Sequence, residues 1–389
     1  MLDRPLNILI VASWYPDEEN NTRGSFIEEQ AQMLKNAGHQ VLVLHPFLLG
    51  TFFSSFLKKE FSSFSDWNDI PLLRVGIKPP FPLNRKIAYK KLYLTCKKEL
   101  KKYKVSIDEF DIIHSHVMFM GGFIARSLAQ DYKKLFYHTE HSSGLIFNTK
   151  QYNSADKRII KQIFHSAKRV FFVSQFSLLQ TLNRFSIEST SKYAVLPNIV
   201  HKRFFNQKLV NCNLNPFSYI VIANLIPLKG LDTLVRSWKE LINVYPNSML
   251  TIAGNGPEKK GLVNLVNNLN VAMSVTFLPG LSREEVQEQI SIHHVLVSTS
   301  KIETFGLTVA EAQAMGLPVV VTDSGGVRDI VDIDSGIITD HSVLEIAKGL
   351  VKIQSNFNTY IAGNIRKQTF NKFSEAIVYE KLLNHYTEN

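Results

Sequence analysis

Short apolar runs typical of β-strands alternate with amphipathic runs along the chain, and this alternation occurs twice. The apolar runs of the first half are LNILIVA, HQVLVLH, FDIIHSH, KLFYHTEH, KRVFFVS and KYAVLPN. Those of the second half are FSYIVIANL, SMLTIAGNG, SVTFLPG, HVLVSTS and LPVVVTD. Strands that alternate with helices form parallel sheets covered by helices on both faces. The pattern therefore predicts two doubly wound α/β domains that face a cleft.

The restart of the pattern also sets the domain boundaries. A chain of 389 residues is too long for one ordinary hydrophobic core and suits two domains. We place the first domain at residues 1–198 and the second at residues 199–371, with the joint near LPNIVHKRFF. Residues 372–389 have the pattern of an amphipathic helix with no strand after it, so this helix is able to pack back on the first domain.

Cysteine content and the first residues bear on the cellular compartment. Neither Cys96 nor Cys212 lies in a CxxC pair or beside other residues with metal-ligand spacing. The first residues lack the basic region of a secretory leader, and their short apolar run is typical of a buried first strand. We therefore predict reduced thiols and a cytoplasmic location.

Positive charge is concentrated in one segment of the first half. The chain has a net charge of +10, and Arg85–Lys104 alone holds nine basic residues and one acidic residue. Leu92, Cys96 and Leu100 recur with helical spacing, which predicts a basic amphipathic helix. Its charge fits a solvated face or attraction to anionic lipid at the inner membrane face; nucleic-acid binding lacks an accompanying motif. The phenylalanine-rich Phe47–Phe64 fits a segment in the membrane interface or the lining of a cleft, and is too interrupted to span a membrane.

Ligands of doubly wound domains bind beyond the carboxyl ends of the strands, so the residues at those ends are the first candidates for a site. Gly24 follows the first strand and opens a helix whose N-terminal amides suit a phosphate, although a plain turn also explains it. Lys229, on the turn after FSYIVIANL, is a point charge suited to a diphosphate or a solvated surface lysine.

Histidines follow two neighbouring strands of the first half, as His114, His116, His138 and His141. We interpret His114 and His116 as pointing to opposite faces of their strand. No HExxH or similar spacing accompanies the four residues, so we predict no metal site here. One histidine of each pair is expected to face the cleft as a hydrogen-bonding or acid–base group.

Two carboxylates, Glu303 and Glu311, flank a strand-to-helix turn in SKIETFGLTVAEAQAMGLPVVVTDSGG. The backbone N–H groups of Phe305, Gly306 and Leu307 lie where the helix begins and can bind a phosphate. A carboxylate repels a phosphate, so the glutamates should accept hydrogen bonds from hydroxyls on either side of it. A nucleotide sugar, with a diphosphate between two sugars, meets this requirement. The alternative, a glycosidase carboxylate pair, lacks the fold context usual for it.

These motifs resemble those of retaining glycosyltransferase family 4, whose GT-B architecture has two Rossmann-like domains. The resemblance extends over nearly the whole chain and is most specific in IPLKGLDTL, AGNGPE, VTFLPG and ETFGLTVAEAQAMGLPVVVTDSGGVRDIV. The first half is similar to members that build surface polysaccharides. The resemblance implies transfer of a sugar, with retention of its anomeric configuration, from a UDP- or GDP-linked donor to a hydroxyl in polysaccharide or glycolipid assembly.

Roles for single residues follow from the resemblance. It implies that Glu303 lies near the donor sugar, that Glu311 binds the nucleotide ribose and that Lys229 contacts the diphosphate. It also implies that His141 contacts the donor sugar and that Gly24 closes on the phosphate. Glu303, Lys229 and His141 are therefore the expected catalytic residues, and no protein nucleophile is assigned.

One position departs from the family pattern. Asn224, at the donor site, stands where members usually have a phosphate-binding arginine, and Arg23 or Arg328 is a candidate substitute. On the acceptor side we expect contacts from Ser115 and His116. No cofactor or metal is expected, because the metal-like DID of residues 332–334 is interpreted as chance.

Three rival classes remain open on the sequence. A sugar-nucleotide epimerase shares the architecture, a catalytically weak nucleotide-sugar-binding protein is favoured by Asn224, and a basic RNA-binding protein would show a steep salt dependence. The expected partners of the favoured enzyme are a nucleotide-sugar donor, a saccharide or lipid-linked saccharide acceptor and an anionic membrane surface, without nucleic acid.

Overall fold

The chain folds into two α/β units. The computed structural model describes residues 4–18, 22–49, 60–79, 85–147, 152–207 and 216–388. The N-terminal unit comprises Met1–Pro197 together with Tyr379–Asn389, and the C-terminal unit comprises Asn198–Val378. The last helix of the chain begins at Glu375, three residues later than the sequence predicts, and its residues from Tyr379 onward belong to the N-terminal unit.

The N-terminal unit contains an eight-stranded sheet with the strand order β3-β4-β2-β1-β5-β6-β7-β8. The β3–β4 pair is antiparallel and the other neighbouring pairs are parallel. The strands are β1 (Asn7–Ala12), β2 (Gln40–Leu48), β3 (Glu60–Trp67), β4 (Ile70–Ile77), β5 (Ile112–His116), β6 (Leu135–Glu140), β7 (Arg169–Phe172) and β8 (Tyr193–Val195). The helices are α1 (Ser25–Asn36), α2 (Arg85–Lys102), α3 (Phe123–Tyr132), α4 (Gly144–Phe147), α5 (Ser154–Ser166) and α6 (Gln175–Phe185).

The C-terminal unit contains a six-stranded parallel sheet with the order β11-β10-β9-β12-β13-β14. Its strands are β9 (Ser218–Ile222), β10 (Met249–Ala253), β11 (Val275–Leu278), β12 (Val295–Ser298), β13 (Val319–Thr322) and β14 (Gly336–Thr339). The helices from here to the end of the chain are α7 (Lys202–Phe205), α8 (Leu231–Val244), α9 (Lys259–Asn268), α10 (Arg283–Ser291), α11 (Leu307–Ala314), α12 (Val343–Ser355), α13 (Ala362–Phe373) and α14 (Glu375–Thr387).

The apolar runs of the sequence become the buried strands of these sheets. All four residues of β13 are buried, as are five of the six residues of β1, in keeping with parallel strands that are covered on both faces. The predicted pair of α/β units with largely parallel sheets is therefore confirmed. The strand β14 was missed because its run, GIIT, is only four residues long and has two side chains that are partly or fully exposed.

The hairpin of β3 and β4 is a second element that the sequence prediction missed. Its turn places Asn68 and Asp69 at φ values of 48° and 63°, the geometry of a two-residue hairpin loop. The strand β3 lies at the edge of the sheet and is mostly polar, so it lacks an apolar run. The phenylalanine-rich Phe47–Phe64 ends β2 and begins β3, while its central residues, 50–59, lie outside the described residues.

Each sheet has a point at which the order of its strands reverses. In the C-terminal unit the chain passes from β9 outward to β11 and then returns to β12 on the other side of β9. The N-terminal unit has the same reversal between β1 and β5. Loops that leave neighbouring strands in opposite directions open a crevice at the carboxyl ends, which is where ligands bind in such sheets.

Candidate active site

The reversal point of the C-terminal sheet brings Lys229 and Glu303 together. Lys229 follows β9 and Glu303 follows β12, and Lys229 Nζ lies 2.5 Å from Glu303 Oε1. The hydroxyl of Ser300 donates to the same carboxylate oxygen at 2.7 Å. The side chains of Lys229 and Glu303 are 22% and 19% exposed, so a ligand can reach the ion pair without unfolding either loop. Ser300 was missed from the sequence, although its place after β12 was a usable signal.

Backbone hydrogen bonds fix the two loops that carry this ion pair. The amide of Lys301 donates to the Leu228 carbonyl at 2.8 Å, which links the loop after β12 to the turn after β9. The amide of Glu303 donates to the Ser324 carbonyl at 2.8 Å, and the amide of Gly326 donates to the Glu303 carbonyl at 2.9 Å. Glu303 is therefore held from both sides, which preorganises its carboxylate beside Lys229.

The close approach at Gly326 leads to a mutational prediction. A Cβ atom at this position would lie 2.4 Å from the Thr304 carbonyl oxygen and 2.7 Å from the Phe305 amide nitrogen, both in the loop of Glu303. We expect Gly326→Ala to displace that loop, lower turnover roughly tenfold or more and cost about 1–3 kcal/mol in the free energy of unfolding. Steady-state kinetics and urea unfolding measure these two effects.

Gly261→Ala is the matched control for this substitution. Gly261 lies in α9, and no atom lies within 4 Å of a Cβ placed there. We expect this alanine to raise the free energy of unfolding by about 0.5–1 kcal/mol and to leave turnover unchanged. Equal kinetics for the two alanine variants would contradict the proposed clamp on Glu303.

The first turn of α11 presents backbone amides next to Glu303. Gly306 precedes the helix with a φ of 107°, and Leu307 is the first helical residue. No described residue accepts a hydrogen bond from the amides of Phe305, Gly306 and Leu307. The Phe305 side chain is buried and packs edge-on against Phe373, with ring centroids 5.3 Å apart. These three residues therefore offer N–H groups, rather than side chains, to an anion.

Glu311 lies inside α11 and is almost completely buried. Arg283, the first residue of α10, places Nη2 at 3.4 Å from Glu311 Oε1. Burial raises the pKa of Glu311 to about 7, and the positive charges of Arg283 and Arg203 oppose this shift. Arg203 is itself ion-paired with Glu284. The two arginines were not predicted, because their distance in sequence from Glu311 gives no local signal.

Asn224 stands where the family pattern has an arginine. Arg328, the predicted substitute in the C-terminal unit, has another partner. Asn224 is exposed after β9, and its carbonyl accepts a hydrogen bond from the Ile226 amide. Arg328 is ion-paired with Asp323, which raises the pKa of its guanidinium. Lys229 and the amides that precede α11 are thus the groups that this unit offers to a phosphate near Glu303.

The reversal point of the N-terminal sheet joins the ends of β1 and β5. The Ser13 hydroxyl donates to the Val117 carbonyl at 2.7 Å and accepts from the Gly121 amide at 2.8 Å. Val117 has a φ of 63°, a conformation that is costly for a β-branched residue and that clusters at functional sites. Gly24 immediately precedes α1 and has a φ of 79°, and a Cβ there would lie 2.7 Å from the Trp14 carbonyl oxygen. Only glycine fits this turn.

The histidines at the ends of β5 and β6 form one buried cluster. His116 Nδ1 lies 3.0 Å from His141 Nε2, and the His141 ring contacts the Phe26 ring in a tilted arrangement with centroids 4.4 Å apart. The rings of His114 and His116 also stack, with centroids 4.6 Å apart. The prediction that these two point to opposite faces was wrong, because residues two apart on a strand share a face.

The two residues expected on the acceptor side have no exposed surface. Ser115 and His116 are both fully buried, and the Ser115 hydroxyl lies 2.8 Å from His138 Nδ1. The Glu140 carboxylate accepts from the amides of Met118 and His141, at 3.0 and 2.9 Å. His141, 8% exposed, is thus the histidine of this cluster that retains some access, whereas burial keeps Ser115 and His116 from direct contact with a ligand.

The remaining candidates concern metal binding and membrane crossing. Lys372 binds the Asp332 carboxylate at 2.8 Å, which gives the first aspartate of DID an ion-pairing role. Within the described ranges, no three His, Cys, Asp or Glu residues are grouped as metal ligands would be. The helices described are also too short or too polar to cross a membrane.

Cys96 is buried and unpaired, and burial raises the pKa of its thiol; Cys212 lies outside the described residues.

The fold and this site agree with two family models that together match most of the chain. The model for glycosyltransferase family 4 matches residues 24–203, and the model for glycosyl transferases group 1 matches residues 203–367. The protein belongs to the family 4 glycosyltransferases, which have the GT-B architecture, and it is a transferase enzyme.

Named relatives and solved structures agree with this assignment. One component of the human phosphatidylinositol N-acetylglucosaminyltransferase is 23% identical over 353 residues, 90% of this chain and 68% of the relative. The α-monoglucosyldiacylglycerol synthase of Acholeplasma laidlawii is 23% identical over 348 residues, 83% of this chain and 82% of the relative. The structure of Anabaena HepE in complex with UDP has a TM-score of 0.74 at 16% identity, covering 97% of this chain and 99% of HepE. These names do not favour the epimerase alternative.

Proposed function

We propose that this glycosyltransferase moves a sugar, with retention of its anomeric configuration, from a nucleoside-diphosphate sugar to a hydroxyl of a lipid-linked or polysaccharide acceptor. The observation that carries the proposal is the Lys229–Glu303 ion pair at the reversal point of the C-terminal sheet, next to the open amides that precede α11. A cation and backbone N–H groups suit the diphosphate, and the carboxylate suits the sugar hydroxyls beside it.

Lys229 contributes to the rate because negative charge develops on the diphosphate as the sugar–phosphate bond breaks. In the structure Lys229 is held by Glu303, at 2.5 Å, in an orientation fixed by the surrounding loops. A bound diphosphate competes with Glu303 for the ammonium group of Lys229. The Glu303 carboxylate then accepts a hydrogen bond from a hydroxyl of the donor sugar. Preorganised groups of this kind stabilise the departing charge without reorganising during the reaction.

The remaining roles follow the family pattern. Glu311 accepts hydrogen bonds from the hydroxyls of the nucleotide ribose, His141 contacts the donor sugar, and Gly24 lets the loop after β1 close on the phosphate. Bound UDP in HepE supports a uridine nucleotide as the first donor to test. No metal and no protein nucleophile takes part, and the leaving phosphate accepts the proton of the acceptor hydroxyl on the same face of the sugar.

The stereochemistry of transfer tests this proposal directly. UDP-, GDP- and ADP-linked sugars are offered with lipid-linked and soluble saccharide acceptors, and proton NMR follows the anomeric signal of the first product. An α-linked donor should give an α-linked product, with release of nucleoside diphosphate. A β-linked product from an α-linked donor would overturn retention, and turnover that is lost in chelator and restored by manganese would overturn the metal-free proposal.

The exposed face of α2 supports a membrane-bound acceptor. Ile87 and Leu94 are 57% and 56% exposed on this helix, which also carries the exposed lysines Lys90, Lys91 and Lys98. Large apolar side chains set among lysines are typical of helices that lie in a membrane interface. The buried face holds Leu92, Cys96 and Leu100, as the sequence predicts. The two relatives named above act on lipids by their names, which agrees with a lipid-linked acceptor and a location at the inner membrane face.

A charge-neutralising variant tests the membrane contact. We expect the combined substitution to Gln of Lys90, Lys91, Lys98 and Lys101 to weaken binding to anionic vesicles at least tenfold, since each lysine near such a surface contributes about 1 kcal/mol. Sedimentation with phosphatidylglycerol vesicles measures the effect. The matched control neutralises Lys239, Lys260, Lys352 and Lys367 of the C-terminal unit, and equal loss in both variants would reject α2 as the anchor.

A further inference from the structure

We propose that Ser300 is a positioning residue that holds the Glu303 carboxylate through Oε1 and keeps it in place when a bound diphosphate draws Lys229 away. Oε2 is then the oxygen that accepts a hydrogen bond from a hydroxyl of the donor sugar. The Ser300 hydroxyl donates to Glu303 Oε1 at 2.7 Å. This inference rests on the proposed function for the identity of the ligand, whereas the contact between Ser300 and Glu303 is a feature of the free enzyme.

Two donors of different character meet at one oxygen of Glu303. Lys229 Nζ lies 2.5 Å from Oε1, and the Ser300 hydroxyl lies 2.7 Å from the same atom. None of the described residues donates a hydrogen bond to Oε2, and the side chain of Glu303 keeps 19% of its surface exposed. One oxygen of the carboxylate is therefore held by the protein, and the other is left for a ligand.

The two donors differ in how firmly they stay with Glu303. Lys229 is a point charge on a flexible four-carbon stem and is 22% exposed, so a diphosphate competes for its ammonium group. Ser300 is uncharged, has a short side chain and is 2% exposed, so it stays beside Oε1. A diphosphate also repels the carboxylate of Glu303. The carboxylate therefore needs a donor that does not leave with Lys229.

Hydrogen bonds from two neighbouring side chains fix Ser300 itself. Thr322, the last residue of β13, is buried and donates its hydroxyl to the Ser300 carbonyl at 2.7 Å. The Ser298 hydroxyl donates to the Ser300 hydroxyl oxygen at 3.5 Å, which leaves the Ser300 hydrogen for Glu303. The backbone and the hydroxyl of Ser300 are thus both held in the orientation that the bond to Oε1 needs.

Energetic coupling between the two side chains tests their contact without any substrate. Melting temperatures are measured for the wild type, Ser300→Ala, Glu303→Ala and the double variant. We expect Ser300→Ala to lower the melting temperature by a few degrees in the wild type, and by much less when residue 303 is already alanine, because the bond is then absent. Equal losses in both backgrounds would overturn the inference whatever the enzyme does.

Turnover then separates a positioning role from a bond that only stabilises the turn. We expect Ser300→Ala to lower kcat about tenfold or more with UDP-, GDP- or ADP-linked sugar, whichever the wild type uses, since the bond is made to a charged group. Binding of the matching free nucleotide, which lacks the sugar, should stay within about twofold. In the Glu303→Ala background, Ser300→Ala should lower kcat no further. A kcat near that of the wild type, or the same loss in both backgrounds, would reject the positioning role.

Ser274→Ala is the matched control in the same unit. Ser274 is buried, accepts a hydrogen bond from Trp238 Nε1 at 3.0 Å and donates to the Val271 carbonyl at 2.9 Å. We expect this alanine to lower the melting temperature and to leave kcat of the folded enzyme unchanged. If none of UDP, GDP and ADP binds the wild type, the proposed function fails, while the coupling between Ser300 and Glu303 is still decided by the melting temperatures.

Discussion

Replacement of Lys229 by alanine is expected to lower turnover by a factor on the order of 10²–10³. Lys229 is the cation that lies against Glu303, and a diphosphate leaving group needs positive charge when the sugar–phosphate bond breaks. Asn224 supplies no charge at the position where family members usually have an arginine, so fewer cations neutralise the charge on the diphosphate. The substitution removes a side chain that is only partly buried, so the melting temperature should change little.

Steady-state kinetics with saturating donor and acceptor measure this loss, and circular dichroism confirms the fold. Lys260→Ala is the matched control, because Lys260 is an exposed lysine of α9 in the same unit. A Lys229→Ala enzyme with a rate near that of the wild type would remove Lys229 from the catalytic residues and move the search for the phosphate-binding cation to other residues.

The second large effect is expected at Glu311. A hydrogen bond between a hydroxyl and a charged carboxylate contributes about 1.5–3 kcal/mol, so Glu311→Gln should raise the donor dissociation constant about 10- to 100-fold. The amide keeps the size of the side chain but loses the charge that faces Arg283. Isothermal titration with the nucleotide measures the change. Glu288→Gln, on the exposed face of α10, is the control that should bind as the wild type does.

The same residue predicts how donor binding depends on pH. Burial raises the pKa of Glu311 to about 7 despite the charges of Arg283 and Arg203, so the carboxylate is mostly protonated at pH 6 and mostly ionised at pH 8. In the proposed role, the ionised carboxylate accepts hydrogen bonds from the ribose hydroxyls, so donor affinity should rise about tenfold between these pH values. Glu311→Gln should remove this dependence. A wild-type affinity that is flat across the range would contradict the role of Glu311.

Stability should respond to pH in the opposite direction. The pKa of Glu311 in the folded state is above its value of about 4.3 in the unfolded chain. Between these two pKa values the folded state therefore binds more protons than the unfolded chain. The contribution of Glu311 to the free energy of unfolding is fully present below the pKa of the unfolded chain and is lost as the pH rises towards 7.

Local patterns in the sequence were enough to predict the residues that follow strands. Lys229 and Glu303 are distant in sequence, but each lies in the loop that follows a parallel strand, and the strand order brings their side chains to 2.5 Å. The sequence could not indicate Arg283, because its contact with Glu311 depends on how α10 and α11 pack rather than on the spacing of either helix.

Two other elements show why side-chain placement was harder to predict than strand order. The polar edge strand β3 has no apolar run, so its pairing with β4 depends on a turn that Asn68 and Asp69 form through positive φ values. His116 was expected to contact the acceptor, and it is fully buried against His141. The alternation of side chains along a strand predicts on which face of the sheet a residue lies, but it does not predict which loops cover that face.

Thermal unfolding with nucleotides is the most direct test of a donor site in the C-terminal unit. UDP, GDP, ADP and their sugar conjugates are compared on the wild type, Lys229→Ala and Glu311→Ala. A ligand at 100 times its dissociation constant adds about 2.7 kcal/mol to the free energy of unfolding. We expect one nucleotide family to stabilise the wild type, with a much smaller shift in both variants. No shift with any nucleotide, or equal shifts in all three proteins, would contradict the donor site.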